Sequence, residues 1–241
     1  MTTPTDRRAH FFDLHAREAV FVMPNPWDVG SARLLAGIGF EALATTSAGL
    51  AWSHGRDDYG VTREELVDHV RAVAVATALP LNVDSERCFA DDLAGVAETV
   101  GQLHDAGAAG CSIEDWNGPA DRIDPVDVAA ERVAAAATAA HVPGDPLLLT
   151  ARAENLLHEV DDLDDTIARL AAYADAGADC VYAPGISTVE QIRAVVAAVP
   201  VPVNVLALPG GPTVEEIAAA GGRRVSIGGS LASTAYGAML V

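Results

Sequence analysis

The chain contains no lysine. All 15 of its basic residues are arginine, set against 34 acidic residues, and the net charge is −19. The missing amine excludes Schiff-base aldol chemistry and pyridoxal-phosphate chemistry, because both need a lysine nitrogen. The acidic balance argues against a phosphate backbone or an anionic membrane surface as partner. An anionic ligand must therefore be held locally, by a metal, an arginine or a helix N-terminus. Cysteine is scarce: Cys88, Cys111 and Cys180 are far apart and form no C-x-x-C, which leaves neither a zinc knuckle nor a disulfide framework. No apolar run reaches membrane-spanning length, and the first eight residues carry no apolar core of a signal peptide. Reduced thiols and these absences lead us to expect a soluble, cytoplasmic protein.

Half of the 241 residues are hydrophobic, although only 5% are aromatic. That is enough for one sizeable core. The apolar pattern predicts strand and helix alternating eight times, with strands over residues 20–25, 42–46, 81–86, 110–114, 147–152, 180–184, 201–206 and 224–228. Helices are predicted over about 8–19, 31–37, 62–78, 93–106, 125–140, 163–176, 188–199 and 213–220, with a last short helix opening at Ser230. Ser47-Ala48-Gly49 reads as the turn that ends the second strand, and residues 116–124 as a polar loop. Thr62-Arg63-Glu64-Glu65 reads as a capping box. Several helices stop at an Ala-Gly pair: Ala106-Gly107, Ala176-Gly177 and Ala220-Gly221. Continuous apolar strands alternating with helices imply a parallel sheet. Eight such units imply an α/β fold of the (β/α)8 TIM-barrel kind, as a single domain over residues 1–241. The alternative, an open doubly wound sheet, lacks a G-x-G-x-x-G after the first strand.

Acidic residues gather where those strands end. Leu81-Asn82-Val83-Asp84-Ser85-Glu86 reads as a buried strand whose Asp84 and Glu86 share a face, because residues i and i+2 of a strand point the same way. Gly110-Cys111-Ser112-Ile113-Glu114-Asp115 has the same form. Carboxylates brought so close repel unless a cation sits between them, and oxygen donors of this kind suit Mg²⁺ or Mn²⁺. A barrel keeps its functional groups at the C-terminal ends of its strands. Read there, the chain offers Thr46, Ser47 and Gly49, then Asp84 and Glu86, Glu114 and Asp115, Arg152 and Glu154, and Asn204. The loop after the second strand adds Asp57 and Asp58. This set suits a small dianion chelated to a metal, with Arg152 taking the second carboxylate bidentately.

Each member also has a plain structural reading. A strand-end carboxylate can be a helix N-cap, Arg152 can pair with Glu154 or Glu114, and Asn204 can satisfy loop backbone. His54 and His158 read as solvated, and Cys88 has no histidine nearby to make it a nucleophile. Their coincidence on one face favours the functional reading.

Six segments carry a family resemblance: Asn25-Pro26-Trp27-Asp28-Val29-Gly30-Ser31-Ala32, Thr45-Thr46-Ser47-Ala48-Gly49, Val83-Asp84-Ser85-Glu86, Gly110 to Asp115, Thr150-Ala151-Arg152 and Pro202-Val203-Asn204-Val205-Leu206. In this order they resemble the isocitrate lyase/phosphoenolpyruvate mutase superfamily. The resemblance implies a Mg²⁺-dependent barrel that makes or breaks C–C or P–C bonds in 2-oxo acids. It implies that Asp84 and Glu114 hold the metal, with Glu86 and Asp58 acting through water. It also implies that Ser47, Ala48 and Gly49 hold the substrate carboxylate through backbone N–H groups, and that Arg152 stabilises the enolate. Thr46 and Asn204 join the substrate-binding set, and Glu114 stands beside Arg152 as a catalytic residue.

Two departures narrow this. Lyases of the superfamily carry a Lys-Arg-Cys-Gly-His-type loop after the fourth strand, and mutases carry Lys and Asn there; here residues 116–122 read Trp-Asn-Gly-Pro-Ala-Asp-Arg. Glu86 also replaces the usual second Asp of D-x-D. The expected function is a Mg²⁺-dependent lyase of a small anionic 2-oxo acid, such as an oxaloacetate-like dicarboxylate. The alternatives are a catalytically silent metabolite-binding barrel and a phosphonopyruvate-type hydrolase or mutase relative. Few residues follow the eighth strand, and Leu231, Met239, Leu240 and Val241 are expected to stay exposed in a monomer. Such a flank is expected to meet a partner, and the resemblance implies a homodimer or homotetramer.

Overall fold

The computed structural model describes residues 2–240. Eight strands form one parallel sheet: β1 (Phe21–Val22), β2 (Leu43–Ala44), β3 (Leu81–Asp84), β4 (Gly110–Glu114), β5 (Leu148–Arg152), β6 (Cys180–Tyr182), β7 (Val203–Leu206) and β8 (Arg224–Ser226). Their order is β1-β8-β7-β6-β5-β4-β3-β2, and every pairing is parallel. The curled sheet is consistent with a (β/α)8 barrel. Between its two edge strands, the Ala44 N–H donates to Pro24 O at 3.0 Å. Asn25 ties the same seam. Its Nδ2 donates to Thr45 O, and its Oδ1 accepts the Ile227 and Gly228 N–H groups beyond β8.

The strands form where a few residues buried on both faces leave backbone bonding as the only way to satisfy their polar groups. All but β4, which spans the expected Gly110–Glu114, are shorter than the apolar runs suggest. β1 holds two of the six residues expected, and β2 two of five. In the run 20–25, Pro24 cannot donate to a ladder, and the Asn25 side chain takes over that role.

The helices are α1 (Pro4–Ala16), α2 (Val29–Ile38), α3 (Ser47–Ser53), α4 (Arg63–Ala76), α5 (Leu93–Asp105), α6 (Val126–Ala140), α7 (Leu163–Asp175), α8 (Val189–Ala198), α9 (Val214–Ala219) and α10 (Ser230–Gly237). Asp28 caps α2 and Thr62 caps α4, each through a reciprocal capping box. The three Ala-Gly stops all place the glycine at positive φ. Most of the core lies between sheet and helices. A second cluster of Phe11, Leu14, Phe21, Met23, Ala109, Leu148 and Cys180 packs α1 against residues at or near the N-terminal ends of strands. Arg8 fastens α1 there, donating to Ala108 O and His104 O and pairing with Asp145. Gly110 permits the close fit, since a Cβ there would lie 2.8 Å from the Phe11 ring. With that end plugged, the C-terminal ends of the strands remain for chemistry.

Two local expectations are corrected. Residues 47–49 are not a simple turn but the first turn of α3, capped by Thr46. Residues 116–124 are not an open polar loop. Trp116–Asn117 pairs antiparallel with Arg122–Ile123 in a small hairpin.

Candidate active site

Arg152 ends β5 and reaches across to the neighbouring strand ends. Its guanidinium donates to Asp84 Oδ1 at 2.6 Å and to Glu154 Oε1 at 2.7 Å, and lies 3.3 Å from Glu114 Oε2. The ring of Tyr182, at the end of β6, lies 5.3 Å from the guanidinium carbon. Register brings these groups together: Glu114 is paired with Arg152, and Arg152 with Tyr182, across adjacent parallel strands. One cation thus spans three carboxylates.

Polar groups are left over. Glu86 Oε1, Glu114 Oε1 and Glu154 Oε2 are buried without a hydrogen-bond partner, a costly state for a charged oxygen. The Glu86 carboxyl is pushed up to about 8, by burial first and then by the charges of Asp84 and Asp58. Glu114 is raised well above the ordinary carboxylate range by burial, with Glu154 and Asp84 adding to the rise and Arg152 opposing it. Glu154 is raised by burial, and Asp58 by the protein crowded around its carboxyl and by Asp84.

Asp84, Glu86, Glu114, Arg152 and Asp58 therefore share one electrostatic neighbourhood, but the simple strand picture is wrong for Glu86. β3 stops at Asp84, and Glu86 follows in a left-handed turn at φ 48°. Cys88 and Phe89 are left-handed too. The turn is held from outside: Arg132 donates to Arg87 O, Ala90 O and Asp91 O, and Thr99 Oγ1 donates to Cys88 O. Cys88 is fully buried, with its thiol pushed up to about 11, and is no nucleophile.

The substrate-binding candidates are placed less uniformly. Thr46 is buried as the cap of α3. The Ser47 N–H is taken by Asp84 Oδ2 at 3.0 Å and the Gly49 N–H by Thr46 Oγ1 at 3.3 Å; Ala48 lies between them. Asn204 lies within a buried polar chain, where Arg224 Nε donates to Asn204 Oδ1 and Asn204 Nδ2 donates to Ser226 Oγ. Arg224 also donates to Thr150 Oγ1 and contacts His15 Nε2. Of the two histidines read as solvated, His54 is exposed, whereas His158 stacks on Trp116 with ring centroids 3.5 Å apart. Arg224 and Tyr182 were not singled out from the sequence. Tyr182 ends a strand as the chosen residues do, which was the available signal; Arg224 opens one and carried none.

Hard carboxylate oxygens, three of them orphaned, are the donor chemistry that Mg²⁺ or Mn²⁺ takes. In the arrangement described, the carboxylates turn toward Arg152. Among the described residues, no three His, Cys, Asp or Glu side chains already converge as a metal cage.

A parallel α/β sheet with an acidic, arginine-bearing centre at its C-terminal strand ends has the layout of a barrel enzyme, whose functional groups stand on that face. The chain belongs to the phosphoenolpyruvate phosphomutase family, whose pattern matches residues 11–241. This places it in the isocitrate lyase/phosphoenolpyruvate mutase superfamily, and it is an enzyme of that type. A Burkholderia cenocepacia J2315 structure, described conjecturally as a lyase/mutase, is 50% identical with a TM-score of 0.94, over 98% of this chain and 87% of that one. An oxaloacetate decarboxylase of Paraburkholderia xenovorans is 32% identical over 86% of this chain and 70% of its own. An oxaloacetate acetylhydrolase in complex with oxalate is 26% identical with a TM-score of 0.90, over 100% of this chain and 86% of that one.

Proposed function

We propose that the chain is a Mg²⁺-dependent carbon–carbon lyase of the cytoplasm, built as a closed (β/α)8 barrel, that acts on an oxaloacetate-like 2-oxo dicarboxylate. The observation that carries this reading is the Arg152 guanidinium spanning Asp84, Glu114 and Glu154 with carboxylate oxygens left unpaired beside it. Two relatives whose names contain oxaloacetate support the substrate class. Asp84 and Glu114 would hold the metal, with Glu86 and Asp58 farther out. When bound, the ion supplies Lewis-acid polarisation of the substrate oxygens.

The chain's own groups do the rest. Arg152 presents its N–H groups to the oxygen that gains charge as the bond beside the carbonyl breaks, which is electrostatic stabilisation without a covalent intermediate. Glu154 fixes Arg152 through Nε, and the Tyr182 ring limits its swing. Thr46 to Gly49 and Asn204 orient the carboxylates. The hairpin after β4 carries neither lysine nor cysteine and is pinned by the Trp116–His158 stack. A step whose leaving group needs no proton on departure, such as loss of CO₂, suits it.

The test is turnover of a panel of 2-oxo acids, oxaloacetate and phosphonopyruvate included, with Mg²⁺ and with EDTA. Mg²⁺-dependent cleavage of a dicarboxylate is expected. Retained ligand-induced thermal shift without turnover of any member would mean a barrel that only binds metabolites.

A further inference from the structure

The space around the carboxylate cluster divides in two. Inside the strands lies a chamber of about 70 Å³, lined by Asp84, Arg152, Thr45, Asn204 and Arg224, room for little more than one small polar group. Outside it, between the segments that follow β2, β3 and β4, lies a half-open cleft of about 790 Å³. Asp84 lines the chamber and Glu86 lines the cleft, so the cluster stands at their boundary. A four-carbon dicarboxylate fills only a small part of this combined space.

The walls of the cleft say what fills it. Val61, Phe89, Ala90, Trp116 and Pro119 give it apolar surface from three separate segments. It also holds two arginines, and both are already engaged. Arg87 pairs with the buried Asp124 at 2.7 Å, and Arg63 lies 3.3 Å from Glu98 and 3.7 Å from Glu64. The remaining charges on its lining, Glu64 and Asp91, are acidic. A second distal carboxylate would meet no free cation there and would be repelled.

We infer that the substrate carries an uncharged, largely apolar substituent on the carbon between its 2-oxo group and its second carboxylate, and that the cleft between Phe89, Val61 and Trp116 receives it. This rests on the proposed 2-oxo dicarboxylate reading and narrows it. The acid head lies at the cluster, and the cleft selects for an apolar tail and against an anionic one. A well-placed methylene in such a pocket changes discrimination by about tenfold or more.

Calorimetric titration with Mg²⁺ present separates the parts, using three stable acids that carry a 2-hydroxyl in place of the 2-oxo group and share one head: malate, 3-isopropylmalate with an apolar tail, and isocitrate, whose tail is a carboxymethyl group. The expected order is 3-isopropylmalate at least about tenfold tighter than malate, with isocitrate no tighter than malate. Gly118→Leu tests the location. Gly118 lines the cleft, and a Cβ there meets only Trp116 Nε1, at 3.6 Å, so the added side chain narrows the cleft without disturbing the fold. The variant should lower the ratio of isopropylmalate to malate affinity about tenfold. Phe89→Asn tolerates the left-handed φ of 50° and should lower the same ratio. Malate binding as tightly as 3-isopropylmalate, or isocitrate binding tighter than either, overturns the inference while leaving the parent reading intact. An unchanged ratio in both variants overturns the assignment to this cleft. Failure of all three acids to bind where oxalate binds with Mg²⁺ overturns the inference alone, and failure of oxalate as well overturns the parent reading with it.

Discussion

At the residue scale, the centre is an excess of negative charge around one guanidinium. Replacing Arg152 by Met leaves Asp84, Glu114 and Glu154 without their counter-ion, and breaking such a buried network costs about 3–5 kcal/mol. Chemical denaturation without metal should show that loss, and added Mg²⁺ should recover part of it. Glu86 gives a pH signature. Its carboxyl is raised from an ordinary value of 4.5 to about 8, so the folded chain holds a proton that the unfolded chain releases. Stability of the metal-free protein should therefore fall as pH rises from about 4.5 to about 8 and level off above. Glu86→Gln should remove that portion of the fall, seen as a higher Tm than wild type at pH 8.5 and little difference at pH 4.5. The sequence showed the acids but not the backbone that aims them. Nothing in Glu-Arg-Cys-Phe signals three left-handed residues, because Arg132 and Thr99 impose the turn from distant segments.

At the element scale, two short pieces shape the mouth of the site. α3 begins where the sequence suggested a turn, because Thr46 caps it and Gly49 allows it to nest. A Cβ on Gly49 would lie 2.6 Å from Thr46 Cγ2 and 2.8 Å from Trp27 Cβ. Gly49→Ala should destabilise by about 1–3 kcal/mol, read as a drop in Tm. The hairpin after β4 was read as a loop because its strands are only two residues long, below any pattern that periodicity can reveal. Its fixing contact, Trp116 on His158, joins residues 42 positions apart. His158→Ala should loosen the hairpin, so that limited proteolysis cuts within residues 116–123 faster than in wild type while global stability changes by about 1 kcal/mol.

At the scale of the whole molecule, the alternation of eight apolar strands with capped helices was legible because strand burial and helix stops are local properties. The contact between the two edge strands was not, since it rests on one backbone bond, Ala44 to Pro24, and on side-chain bonds of Asn25 to residues about 20 and 200 positions away. Among the described residues, no helix is long and apolar enough to cross a membrane. After α10, Met239 and Leu240 are 75% and 90% exposed, whereas Leu231 is half-buried; Val241 lies outside the described residues. We propose that this end meets another copy of the chain, as a homodimer or homotetramer. Light scattering should give a mass well above 24.9 kDa, and a particle of that monomer mass would contradict it.

The central claim is that Asp84 and its neighbouring carboxylates hold a metal that a small dianion joins. Calorimetric titration of oxalate into wild type and Asp84→Asn, each with Mg²⁺ and with EDTA, tests it most directly. The asparagine keeps an acceptor for the Ser47 N–H and removes the charge together with the oxygen that accepts from Arg152. The account predicts oxalate binding to wild type that needs Mg²⁺ and is lost in Asp84→Asn. Binding of equal strength with EDTA, or an Asp84→Asn protein that binds as wild type does, would contradict it.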